Sequence, residues 1–177
     1  MLHVNQEKNT PSTESEPVEV VDASGRALAV MPASEAHRQS LPHRAALVLF
    51  FDRQGKLLLG RRFRTSSIFP GRWDLTARGH IRPLEAALDA AARLAGAEFP
   101  GLGGQLARHC DLTPSEHTGF EAVAVFRYPA HGERGHSGRE MLAVSDTELA
   151  VLIQDFRELI APSVVHAYET GVLFRRP

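Results

Sequence analysis

At 177 residues the chain suits one domain with a sizeable core. Apolar residues make up 43% and charged residues 23%, as in soluble globular proteins, and a formal net charge of −1 sets up no global field toward nucleic acid or anionic lipid. No apolar run approaches the ~20 residues that cross a bilayer, the opening "MLHVNQEKNTPSTESEP" lacks the apolar stretch of a secretory signal, and a single cysteine, Cys110, excludes an intrachain disulfide, so the cytoplasm is the expected setting.

Residues 1–16 are polar and read as a mobile tail ahead of one domain spanning 17–177. "VEVVDASGRALAV" predicts a hairpin around Asp22-Ala23-Ser24-Gly25. "MPASEAHRQSLPH" predicts one short helical turn ended before Pro42. "RAALVLFFD" is nearly all apolar and predicts a central strand buried on both faces. "RQGK" turns it into a second strand, "LLLGRRF". "RTSSIFPGRWDLTARGH" reads as irregular. A helix is expected from about Pro83, where proline is allowed in a first turn, to the break at "FPGLGG".

"QLARHCDLT" and "GFEAVAVFRY" predict two further strands, "PAHGERGHSG" a loop and "REMLAVS" another strand. Ser145 or Asp146 can cap a helix through "DTELAVLIQDF", and a last helix follows Pro162. This order is an α+β pattern, with helices packed on a mixed sheet.

The alanine-rich helix carries the first candidate chemistry. With Leu84 as origin and about 100° per residue, Leu88, Ala91 and Ala95 fall within about 40° and predict a narrow apolar stripe. Positions 94 and 98 stand one turn apart beside it, where two carboxylates could share a divalent cation. Position 98 is Glu and position 94 is Leu, so on these residues alone a structural helix is the plainer reading.

Residues Gly79, Glu85, Arg93 and Glu98 nevertheless resemble the box of the Nudix hydrolase superfamily, G-x5-E-x7-R-E-U-x-E-E-x-G-U, where U is a bulky aliphatic residue. Leu94 and Ala97 stand where that box has glutamates, and Pro100 where it has glycine, so the box is degenerate. Upstream, His37-Arg38, His43-Arg44, Gly55, "LLLGRR", "FPGRW" and Gly79-His80 resemble the branch containing isopentenyl diphosphate isomerase and its hydrolase-like relatives.

The resemblance implies a Nudix fold, an αβα sandwich around a mixed β-sheet. It implies metal-dependent cleavage of a diphosphate linked to another moiety, an acid anhydride bond. It makes Glu98 and Glu85 candidate ligands for Mg2+ or Mn2+, weakly held because two carboxylates are missing. Arg93 becomes a candidate brace for the glutamates. The plainer alternatives are a solvated first-turn carboxylate for Glu85 and a surface role for Arg93.

In isomerases of this branch, histidines at comparable places bind metal together with glutamates. His37, His43 and His80, with Glu121 on a neighbouring strand, therefore form an alternative site, and imidazole suits Zn2+ or Mn2+ better than Mg2+. Hydrogen-bonded structural histidines are the competing reading. Those isomerases carry a cysteine where this chain has Arg78, and a permanently charged arginine cannot supply a thiol's proton chemistry.

Arg78 and Gly79, with Arg61 and Arg62 after the second strand, become candidates for binding a phosphorylated ligand; Arg64 shares that stretch. Trp73 reads as a packing anchor and Cys110 as a small buried residue. Two functions stay open: a Nudix hydrolase of weakened or lost activity, and a non-catalytic binding module for a small phosphorylated ligand. Neither nucleic acid nor membrane is expected as a partner, and a homodimer is left open.

Overall fold

The computed structural model describes residues 15–66, 69–101, 105–129 and 138–174. The chain opens with a hairpin of β1 (Pro17–Val21) and β2 (Ala27–Pro32), followed directly by a short helix α1 (Ala33–Arg38). The hairpin turns on Asp22, whose Oδ1 accepts from the backbone N–H of Ser24 and Arg26 at 2.9 and 3.0 Å. Gly25 completes that turn at φ +79°, a conformation that favours glycine.

The central strand β3 (His43–Phe51) is buried along nearly its whole length, as its continuous apolar run requires. Burying a Leu or Phe of this kind contributes roughly 1.5–3 kcal/mol. Asp52 repeats the turn device of Asp22, with its Oδ1 taking the N–H groups of Gln54 and Lys56 at 2.8 Å each. β4 (Leu57–Arg61) follows.

The segment expected to be irregular contains two short strands, β5 (Trp73–Asp74) and β6 (Ala77–His80). β6 pairs antiparallel with β3, with Ala45 opposite His80 and Val48 opposite Ala77. β7 (Ala107–Leu112), β8 (Glu121–Pro129) and β9 (Met141–Val144) complete a mixed sheet of nine strands among the described residues. β8 runs parallel to β3 over all nine positions, from His43–Glu121 to Phe51–Pro129.

Alternation along β3 divides the core. Ala45, Leu47 and Leu49 join Val123 and Val125 under α3 (Asp146–Asp155) and α4 (Pro162–Glu169). Ala46, Val48 and Phe50 join Ala77 and Ala124 under α2 (Ala87–Glu98). Helices thus cover both faces of the sheet, as the sandwich expectation required. α3 is capped by Ser145, whose Oγ accepts from Glu148 N while Glu148 Oε2 accepts from Ser145 N. No helix among the described residues is long and apolar enough to cross a membrane.

Helix α2 begins at Ala87, not near Pro83. Leu84 adopts φ +65°, and the Glu85 carboxylate turns back to accept from Arg82 N at 2.9 Å, so the chain makes a turn before the helix. The predicted stripe is accordingly displaced. Leu84 is 97% exposed and Leu88 51% exposed, while Ala90, Ala91 and Ala95 are buried. A face of alanines lets the helix settle close on β3 and β6, while Leu84 falls in the turn before the helix and Leu88, in its first turn, stays half exposed.

Residues 1–14, most of the expected tail, lie outside the described residues, as do 130–137 of the expected loop. Glu16 is held in place: its carbonyl accepts from Ala33 N at 2.9 Å and its carboxylate from Arg82 Nε at 2.9 Å.

Candidate functional site

Strand register assembles the candidate site. His43 lies opposite Glu121 on β8, and Ala45 lies opposite His80 on β6. Residues 43 and 45 share one face of β3, so His43, His80 and Glu121 converge on that face. α1 delivers His37: buried Ala33 and Ala36 seat the helix on Val18 and Val20 of β1. One ligand atom from each of His37, His43, His80 and Glu121 lies within 4.8 Å of every other. The alternative histidine site read from the sequence is therefore brought together in space.

His43 Nδ1 lies 2.8 Å from Leu41 O, and its buried Nε2 has no hydrogen-bond partner among the described residues. Burial lowers its pKa below the ordinary histidine value, keeping the ring neutral, and this outweighs the raising effect of the Leu41 contact. His37 Nε2 and His80 Nε2 approach each other at 3.2 Å. Glu121 divides its two oxygens. Oε2 accepts from Arg78 Nε and Nη2 at 3.1 and 2.6 Å, while Oε1 faces His80 Nε2 at 3.6 Å and His43 Nε2 at 4.0 Å. Burial opposes the Glu121 charge, but the His80 ring and the Arg78 guanidinium prevail and hold its carboxyl down to about 2.

This donor set fits a first-row divalent ion. It offers three imidazoles and one carboxylate oxygen, with an orphaned buried nitrogen aimed inward. Ligand atoms on one such ion stand roughly 3–4.5 Å apart for bonds of about 2.0–2.2 Å, close to the spacing found.

The box helix does not fit a magnesium site of several carboxylates. Glu85 is taken by Arg93, whose Nε and Nη2 donate to its two oxygens at 2.9 and 2.8 Å. These bonds push the Glu85 pKa below the ordinary value and raise that of Arg93. Arg93 Nη2 also donates to His80 O at 3.0 Å, tying the helix approach to the end of β6. Glu98 is buried and faces Arg139 at 3.5 Å.

Leu94 lies over Gly79, where a Cβ would come within 2.8 Å of Leu94 Cδ2. Ala97 is exposed. Neither Glu85 nor Glu98 belongs to a group of three or more potential metal ligands among the described residues. Arg93 thus braces Glu85 and the end of β6 instead of a row of glutamates.

A cavity of about 460 Å3 opens beside the histidine cluster, lined by His37, His80, Glu121, Arg78 and Gly79 together with Arg62. Of the four residues expected to hold a phosphorylated ligand, Arg62, Arg78 and Gly79 line it. Arg61 does not: its Nη1 donates to Glu140 at 2.8 Å and its Nε to Gly71 O at 3.1 Å. Arg64 is exposed in a turn. Trp73 is half-buried and packs on the core beneath α4, as a packing anchor should. Cys110 is half-buried on β7.

Phe63, Asp74, Thr76, Arg139 and Ser163 also line the cavity and were missed in the sequence. They come from separate loops, the short strand β5 and the start of α4, and no local pattern marks them.

A sequence model of the NUDIX domain matches residues 41–149. The chain is 39% identical over 115 residues to an isopentenyl-diphosphate Delta-isomerase of Nocardia farcinica, a match covering 64% of this chain and 57% of that protein. It is 30% identical over 125 residues to an uncharacterized Nudix hydrolase of Yersinia pestis, covering 71% of this chain and 69% of the relative. The match thus spans little more than half the length of that isomerase. Among solved structures, DR0079 from Deinococcus radiodurans superposes with a TM-score of 0.70 at 18% identity, covering 90% of this chain and all of that one. Tm1382, described as a putative Nudix hydrolase, gives a TM-score of 0.57 at 13% identity, covering 89% and 88% of the two chains.

Proposed function

The chain belongs to the Nudix family, and on that premise we propose that it hydrolyses a diphosphate linked to an organic moiety at a transition-metal site, not at a magnesium site on the box helix. The observation that carries this reading is the convergence of His37, His43, His80 and Glu121 within 4.8 Å. His43 contributes a neutral Nε2, and Glu121 a carboxylate whose second oxygen is already fixed by Arg78. An Mn2+ or Zn2+ ion held by His37, His43, His80 and Glu121 would supply Lewis-acid chemistry toward a phosphoryl group. Arg62 and Arg78 put guanidinium charge on the cavity wall, where a phosphate would lie.

Isomerisation, the activity in the name of the Nocardia farcinica relative, has weaker support. Arg78 stands where the sequence resemblance implies a cysteine, and its guanidinium neither gives up nor returns a proton. The Glu121 carboxyl, held down to about 2, stays ionised and is a poor acid at neutral pH.

The test is phosphate release from a panel of nucleotide and prenyl diphosphates with Mn2+, Zn2+ or Mg2+ as the added metal. Turnover should require Mn2+ or Zn2+ and should be lost in His37→Ala and His80→Ala. Turnover supported by Mg2+ and unaffected in both variants would reject the site.

A further inference from the structure

Three guanidinium groups line the cavity, and two of them hold close hydrogen-bonded ion pairs. Arg62 Nη1 donates to Asp74 Oδ2 at 2.8 Å, and Asp74 Oδ1 accepts from Ser163 Oγ at 2.7 Å. Arg78 donates twice to Glu121 and once to Thr118 O at 2.9 Å.

Arg139 is held differently. Its Nε comes no closer than 3.5 Å to Glu98 Oε1, beyond a well-formed hydrogen bond, and that Nε is buried without a hydrogen-bond partner among the described residues. The guanidinium carbon stands 5.0 Å from the centre of the Phe63 ring, which lines the same cavity and is 51% exposed. A ring face and one carboxylate fix the plane of the group while leaving its N–H fork without a tight acceptor among the described residues. Thr76 Oγ1 on the same wall is also buried without a partner among those residues. Asp74 and Glu121, the partners of Arg62 and Arg78, stand in the lining itself, whereas Glu98, the carboxylate facing Arg139, lies outside it.

We propose that Arg139 is the oxyanion-binding arm of this cavity, engaging a phosphate group of a diphosphate ligand through the N–H groups that Glu98 leaves unused. Glu98 then serves as the counter-charge that holds Arg139, not as a metal ligand. The ligand class rests on the hydrolase reading above; the anion site itself rests on Arg139, Phe63 and Glu98.

The test is calorimetric binding of inorganic pyrophosphate to the full chain after chelator treatment, and again with Mn2+. Wild type should bind pyrophosphate in both conditions. Arg139→Gln should weaken binding by about 10- to 100-fold, the worth of one charge-assisted hydrogen bond. Arg139→Lys should fall between, because it keeps the charge but loses the fork. Arg61→Gln, outside the cavity, should bind as wild type does. The Glu98→Gln/Arg139→Gln double variant repeats the measurement with the carboxylate that faces position 139 neutralised.

Pyrophosphate bound as tightly by Arg139→Gln or the double variant as by wild type would overturn the proposal. Arg139-dependent binding in a protein that hydrolyses nothing on the panel would sustain the anion site and reject the hydrolase.

Discussion

The Nδ1 of His43 lies 2.8 Å from the carbonyl oxygen of Leu41. A carbonyl can only accept, so Nδ1 carries the proton and Nε2 presents its lone pair toward His80 and Glu121. Replacing this ring removes a proposed ligand while deleting a buried atom that has no hydrogen-bond partner among the described residues. His43→Leu should therefore shift the metal-free Tm little, because the orphaned nitrogen and the Leu41 bond are lost together. The rise in Tm on adding Mn2+ or Zn2+, which follows RT ln(1 + [L]/Kd), should largely disappear. A thermal melt with and without metal measures both quantities, and a full metal response in the variant would speak against His43 as a ligand.

Gly79 and Leu94 form a second dependent pair. A methyl group at position 79 would meet Leu94 Cδ2 at 2.8 Å, closer than real Cβ contacts come, so the leucine must swing aside. Gly79→Ala should cost about 1–3 kcal/mol. Adding Leu94→Ala to it should cost less than the sum of the two single changes, with a coupling of about 0.5–3 kcal/mol. Urea unfolding of the four proteins in the cycle gives the coupling directly, and strict additivity would show that the two side chains do not compete for the same space.

Restoring the box glutamates should not restore a magnesium site. Ala97 is exposed, so Ala97→Glu should stay within about 0.5 kcal/mol of wild type. Leu94 packs on Gly79 and the core under α2, so Leu94→Glu places a carboxylate in an apolar contact and should cost roughly 1–3 kcal/mol. Calorimetry of the double variant should find no tight Mg2+ binding, since Glu98 remains opposite Arg139. Micromolar Mg2+ affinity would contradict this.

The cap of α3 gives an acid-side signature. Ser145 N–H donates to Glu148, Lys56 adds a second hydrogen bond at 2.9 Å, and together they hold the Glu148 carboxyl down to about 2 from 4.5. A carboxyl depressed on folding binds fewer protons in the native state than in the unfolded one. Its contribution is fully present above the unfolded value and is lost as pH falls from 4.5 toward about 2. Glu148→Gln should therefore flatten the decline of the urea midpoint within that window. An unchanged decline would assign the acid sensitivity to other carboxylates.

Local chemistry made much of the fold legible. The Asp22 and Asp52 turns, the apolar run of β3 and the Ser145 cap each announce an element within a few residues. The start of α2 was misread because Pro83-Leu84-Glu85 suits a helix locally, and only the Glu85 contacts with Arg82 and Arg93 and the positive φ of Leu84 reveal a turn. β6 was missed because four residues in a glycine-containing stretch carry no strand period; its identity comes from pairing with β3. The histidines could be named from the resemblance, but their meeting depends on register between strands far apart in sequence. Arg139 gave no signal, since it faces Glu98 across a separation of 41 positions that no spacing rule connects.

The hairpin and α1 have a core of their own, made of Val18, Val20, Ala33 and Ala36. So small a core leaves this unit dependent on its ties to the sheet, such as the bond from Arg44 to Glu19. Yet α1 carries His37, while His43, His80 and Glu121 stand on the sheet. An ion held by all four would add a further tie between this unit and the sheet. Loading the site would then be read out in amide hydrogen exchange as slowed exchange across residues 33–38, and stripping the ion would reverse that slowing.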